Sequence, residues 1–94
     1  MIGKTGTTIR EREEEEGDTE VTVEYRGTPV VTFNSSVIVL NTGGWYSATT
    51  SRRMNEVARE YELEYRVFRR VGRYYCEYGN KLYSFLGDTL WLIR

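Results

Sequence analysis

Histidine is missing from these 94 residues. That removes the commonest general base and the commonest metal ligand, and it makes a Ser-His-Asp triad impossible. There is one cysteine, Cys76. It cannot close an internal disulfide, which argues against a stapled secreted fold, and a zinc site built on one thiolate is not expected. The longest apolar runs are four residues, such as Val37–Leu40, where a membrane helix needs roughly 20. No apolar leader core opens the chain, so an intracellular location is expected. The one proline, Pro29, sits where a strand would start, a position that tolerates it.

What is present is charge, unevenly spread. The net charge is −1. Residues 1–24 carry eight acids against three bases, and residues 25–94 carry ten bases against six acids. Eleven of the thirteen bases are arginine, the residue suited to planar contact with phosphate or carboxylate. Charged residues are 29% and hydrophobic residues 39%, which is ordinary for a soluble globular chain of one domain, residues 1–94.

Residues 1–6 are small and polar and are expected to fray. Residues 7–20 read as an acidic edge strand or a mobile arm, with a turn near Gly17. Glu20–Arg26 alternates, with Val21, Val23 and Tyr25 on one face, as a half-buried antiparallel strand does. Val30–Phe33 and Val37–Leu40 follow around an Asn34-Ser35-Ser36 turn. The wholly apolar Val37–Leu40 is expected to be covered on both faces. After Gly43-Gly44, Met54, Val57, Ala58 and Tyr61 fall at i, i+3, i+4 and i+7, the stripe of an amphipathic helix. Thr49 or Thr50 is the expected N-cap. Arg52, Arg53, Asn55, Glu56, Arg59 and Glu60 fall opposite the stripe. The final third reads as two hairpins, Glu64–Tyr78 around Gly72 and Lys81–Ile93 around Gly87-Asp88. The expected fold is α+β: an antiparallel sheet in the order β-β-β-β-α-β-β-β-β, with one packed helix.

Two constellations carry candidate chemistry. At the helix start, free backbone N–H groups join Thr49, Thr50, Ser51, Arg52 and Arg53 in a potential anion site, with Trp45 beside it as a core plug or a binding aromatic. The second is Tyr65–Tyr75, with four arginines and four aromatics in eleven residues. Strand geometry puts Arg66, Phe68 and Arg70 on one face, with Arg73 past the turn. Arginines interleaved with rings suit single-stranded nucleic acid, where cations meet phosphates and rings stack on bases. The structural alternatives are a plain helix cap and the wet face of a hairpin. Trp91, within Leu90-Trp91-Leu92, is expected in the core. Gly3-Lys4-Thr5 imitates the end of a phosphate-binding loop but lacks the upstream glycine. No catalytic residue, metal or cofactor is assigned.

The strand end Leu40-Asn41-Thr42 leads into Gly43-Gly44-Trp45, Thr49-Thr50 and Arg53-Met54-Asn55, and Leu63–Phe68 with a glycine turn and aromatics follows. This pattern resembles a set of small bacteriophage and prophage proteins of unassigned function. The resemblance implies a viral accessory role in the cytoplasm of an infected bacterium. Composition and resemblance leave three expectations. The first is a non-enzymatic protein that binds nucleic acid or a phosphorylated ligand. The second is a modulator of a host protein, acting through the acidic segment or a sheet edge. The third is a structural or oligomeric virion component. No membrane partner is expected, and a homo-oligomer remains open.

Overall fold

The computed structural model describes residues 2–94, the side chain of Glu16 excepted. Among the described residues eight strands and one α-helix follow in the expected order, with a single 3-10 turn at Glu15–Gly17 after the first strand: β1 (Thr7–Glu13), β2 (Thr19–Tyr25), β3 (Thr28–Phe33), β4 (Val37–Asn41), α1 (Ala48–Glu60), β5 (Arg66–Arg70), β6 (Arg73–Tyr78), β7 (Lys81–Ser84) and β8 (Thr89–Ile93). They divide between two antiparallel sheets. The larger runs β1-β2-β3-β4-β8 and the smaller β5-β6-β7.

Strand periodicity builds the core. Val21 and Val23 of β2, Val31 and Phe33 of β3, Ile38 and Leu40 of β4 and Leu92 of β8 turn to one face of the larger sheet and are buried. Met54, Val57 and Ala58 of α1 lie in the same cluster, with Leu63, Tyr65, Val67, Tyr74 and Cys76 from the smaller sheet's side. The helix thus joins the two sheets.

The structure corrects four readings. First, β7 and β8 do not form a ladder. Only Leu86 and Thr89 bridge, and β8 pairs instead with β4, Leu92 opposite Ile38 and Leu90 opposite Leu40. Two leucines spaced by two complete an apolar face that β7 does not offer. Second, that register turns Trp91 outward, where it is 64% exposed rather than in the core. Third, β4 is buried on one face only: Ile38 and Leu40 are fully buried, Val37 and Val39 half-buried. Fourth, the helix starts earlier than expected. Ser47 is its N-cap, and its hydroxyl accepts the Thr50 N–H at 3.2 Å.

The expected fraying of residues 1–6 is also corrected, because Ile2 and Gly3 are anchored to the body of the fold. Ile2 is buried, and the Gly3 N–H donates to Glu56 Oε1 at 3.1 Å. A Cβ on Gly3 would lie 2.4 Å from the Arg53 guanidinium, so glycine is what lets the backbone approach that close. Fraying of Met1 lies outside the described residues. Residues 7–13 form the edge strand β1.

Candidate nucleic-acid interface

In β5, period two sends Val67 into the core and Arg66, Phe68 and Arg70 outward. The register of β6 sets Tyr75 opposite Phe68, Glu77 opposite Arg66 and Arg73 opposite Arg70. Phe68 and Tyr75 stack at 5.7 Å between ring centroids, with their planes 24° apart. Arg66 and Arg70 bracket the Phe68 ring, their guanidinium carbons 4.7 and 5.7 Å from its centroid. Guanidinium groups over a ring gain cation–π attraction, so they hold this geometry at a wet surface. Arg66 also pairs with Glu77. Arg70 and Arg73 face each other across the hairpin with no carboxylate partner among the described residues. Like charges directly opposed destabilise a sheet, and both would gain from an anion.

The tip of this hairpin is strained. Val71 has φ of 51° and is 96% exposed. A β-branched residue disfavours that left-handed conformation. Gly72 beside it, at φ of 72°, completes a two-residue turn with both positions at positive φ. Arg70 and Arg73 flank this tip.

The helix start is organised differently from the sequence expectation. With Ala48 as the first helical residue, Arg52 and Arg53 lie in the second turn, where the helix dipole is weaker. Arg53 points inward. Its Nη1 pairs with Glu56 at 3.0 Å, its Nε donates to Thr7 Oγ1 at 3.2 Å, and it lies 5.4 Å over the Tyr25 ring. Thr50 is buried, with its hydroxyl 3.1 Å from that of Ser47. Ser51 donates to the Ala48 carbonyl. Thr49 is half-buried and Arg52 exposed. The cation that reaches the helix start is instead Arg26, from the β2–β3 turn. It lines a cleft of about 330 Å³ with Tyr25, Trp45, Ser47, Thr49 and Thr50.

Trp45 is held out into solvent, 69% exposed, by the turn beneath it. The Trp45 N–H donates to the Thr42 carbonyl at 3.0 Å, and the Gly44 N–H to Thr42 Oγ1 at 3.2 Å. Gly43 has φ of 62°, and a Cβ there would lie 2.5 Å from the Thr28 methyl. Thr42 and Tyr46 both donate to Asp88 Oδ1, at 3.1 and 2.6 Å. The bond to Asp88 is the main reason the Tyr46 phenol titrates above its ordinary value. Arg69 Nη1 donates to the Tyr46 carbonyl at 2.9 Å, and the Tyr74 hydroxyl donates to the Ser47 backbone carbonyl. These bonds fasten the Gly43-Gly44-Trp45 turn to the smaller sheet.

A family model described as Kyanoviridae Gp96 protein matches residues 2–90. The chain belongs to this family of phage proteins. The matched span takes in the helix, both sheets up to the start of β8, and all of the arginine–aromatic face. No curated protein and no solved structure matches the chain.

Of the residues singled out in this Gp96-family sequence, Arg66, Phe68, Arg70 and Arg73 come together on one sheet face. Trp45, Thr49 and Thr50 line the separate cleft. Arg53 is committed to internal bonds. Tyr75 as a partner of Phe68, Val71 at the strained tip and Arg26 in the cleft emerge only from the structure. Only the alternation of Arg73–Tyr78 could have signalled Tyr75. Among the described residues no helix is long and apolar enough to cross a membrane. Nor is any group of three or more His, Cys, Asp or Glu placed to hold a metal ion.

Cys76 is fully buried, and burial pushes its thiol up to about 12. A thiol reagent at mildly alkaline pH should therefore leave it unmodified in the native protein. Rapid, stoichiometric labelling is expected in denaturant. Fast labelling under native conditions would show that β5–β6 opens readily.

Proposed function

We propose that this phage protein binds single-stranded nucleic acid, without catalysis, on the outer face of the three-stranded sheet. The observation that carries the reading is the Phe68–Tyr75 stack bracketed by Arg66 and Arg70, with Arg70 and Arg73 given no carboxylate partner among the described residues. Bases stack on the rings and phosphates meet the guanidinium groups. Stacking contributes about 1–3 kcal/mol per base and tolerates any sequence. The arginines supply the salt-sensitive part. A role in the cytoplasm of the infected bacterium follows from this reading.

The test is fluorescence anisotropy of a labelled oligothymidylate across a salt series. The wild type should bind at low salt and weaken as salt rises. Arg70→Ala/Arg73→Ala should lose at least about tenfold in affinity, and the log–log salt slope should flatten by roughly 1.4, two single-strand phosphate contacts. Absence of binding at low salt, or a variant that binds like the wild type, contradicts the proposal.

A second reading rests on β1. Arg10 and Arg12 are neutralised by Glu24 and Glu20, at 2.8 and 3.3 Å, while Glu11, Glu13 and Glu15 stay exposed. An acidic edge of this kind suits a basic host protein. Removing the first residues is a poor test, because Ile2 belongs to the core. Glu11→Gln/Glu13→Gln/Glu15→Gln leaves the core untouched and should abolish capture of such a partner if the reading holds.

A further inference from the structure

The two edges of the five-stranded sheet differ sharply in charge. β1 carries Arg10, Glu11, Arg12 and Glu13 in succession, whereas β8 is Thr-Leu-Trp-Leu-Ile. Charge on an edge strand deters pairing with another chain, and an uncharged edge invites it. The outward side chains of β8, Trp91 and Ile93, are 64% and 75% exposed. They lie beside Val39 and Val37 of β4, so the four make one apolar strip along this side of the sheet.

The ladder shows which backbone groups are free. At its two ends the Thr42 N–H donates to the Asp88 carbonyl at 2.8 Å, and the Arg94 N–H to the Ser36 carbonyl at 3.0 Å. Antiparallel pairs alternate, so Leu90 and Leu92 also turn their N–H and C=O groups to β4. Those of Trp91 and Ile93 point away from the sheet. Thr89 is engaged on that side by its bridge to Leu86.

We infer that a second copy of this chain pairs antiparallel along β8, with the two-fold axis passing beside Leu92. In this register the N–H and C=O of Trp91 meet those of the second copy's Ile93, and symmetry repeats the exchange. Every free group on the edge is then satisfied. Trp91 packs on the second copy's Ile93, an aromatic against a β-branched side chain, on the same face as Val37 and Val39. A register centred on Trp91 would need the outward groups of Thr89, which Leu86 holds. A shift by one residue would set Trp91 against the core-facing Leu92. Charge agrees with the chosen register. Arg94 of each copy falls across from Leu90 of the other and diagonal to its Asp88. In the single chain its guanidinium rests on the Asn34 carbonyl at 2.7 Å. A pairing of so few residues buries less than the roughly 1,200 Å² of a standard stable interface, so the dimer depends on concentration.

Sedimentation equilibrium of the full chain over a concentration series tests this, with Ile93→Pro and Trp91→Lys beside the wild type. Proline at 93 removes an N–H that β4 does not use, and lysine at 91 replaces an exposed side chain. The wild type should pass from monomer to dimer as concentration rises. Both variants should stay monomeric with unchanged circular dichroism. If Ile93→Pro fails to fold, Trp91→Lys decides alone. Register is read separately: Trp91→Cys mixed with Ile93→Cys should oxidise to a crosslinked pair, and Trp91→Cys alone should not. A wild type that is monomeric at every concentration overturns the inference, as does a dimer that survives both substitutions or crosslinking of Trp91→Cys alone.

Discussion

Arg53→Ala is expected to destabilise the fold by about 3–5 kcal/mol, because it leaves one member of a mostly buried ion pair without its partner. The Arg53 and Glu56 side chains are only 11% and 14% exposed. The guanidinium also holds Thr7 of β1 and covers Tyr25 of β2. Its loss therefore loosens the start of the chain from the helix and leaves the Glu56 carboxylate with the Gly3 N–H and the charge of Arg59 alone. In a chain of this size the melting temperature should fall by at least about 12 °C. The same pair gives stability a pH dependence of known sign. Burial alone would raise the Glu56 carboxyl, but the Gly3 N–H, the bond from Arg53 and the charges of Arg53 and Arg59 outweigh it and hold the group below its usual 4.5. A carboxyl depressed on folding contributes stability that is fully present above 4.5 and is lost as pH falls through the lower folded value. Chemical denaturation repeated from neutrality down through the carboxylate range should show that loss in the wild type and a flatter profile in Glu56→Gln. A loss for Arg53→Ala below about 1 kcal/mol, typical of a surface pair, would mean that the pair is solvated in solution.

Asn55→Ala should cost about 2–4 kcal/mol, the penalty for leaving a donor and an acceptor of β5 unsatisfied. The Asn55 side-chain amide acts as a strand would. Its Nδ2 donates to the Val67 carbonyl at 2.8 Å, and its Oδ1 accepts the Val67 N–H at 2.8 Å. This clamp closes the outer edge of β5 and sets the smaller sheet against the helix. Tyr65 supports the same junction with a 2.6 Å bond from its hydroxyl to the Met54 carbonyl. Asn55→Asp keeps the acceptor and loses the donor, so it should fall between alanine and the wild type in urea denaturation. If alanine and wild type unfold at the same urea concentration, water replaces the clamp at no cost and packing alone holds the sheet.

What the sequence disclosed, and what it hid, follows from range. The β2 alternation, the Asn34-Ser35-Ser36 turn and the Met54-Val57-Ala58-Tyr61 stripe are local patterns, and each forms as read. So is the sharing of one face by Arg66, Phe68 and Arg70, since period two fixes it whatever the strand pairs with. The partner of β8 is not local. Gly87-Asp88 between two short apolar segments looks like a hairpin turn, and only the core face of β4, some fifty residues earlier, claims Leu90 and Leu92. Trp91 turns outward for the same reason. By residue type alone Arg53 and Asn55 belong on the polar side of the helix. Their actual partners, Thr7 and the Val67 backbone, lie on other elements. Ser47, Thr49 and Thr50 have equal capping chemistry, and only the loop path chooses Ser47 among the three.

An amide-resolved NMR titration with oligothymidylate at low salt tests most directly whether the arginine–aromatic face of β5 and β6 contacts nucleic acid. Resonances of Phe68, Arg70, Arg73 and Tyr75 are expected to shift together and saturably, and to return as salt is raised. Shifts confined to β1 or to the cleft beside Trp45, or none at all, would contradict it.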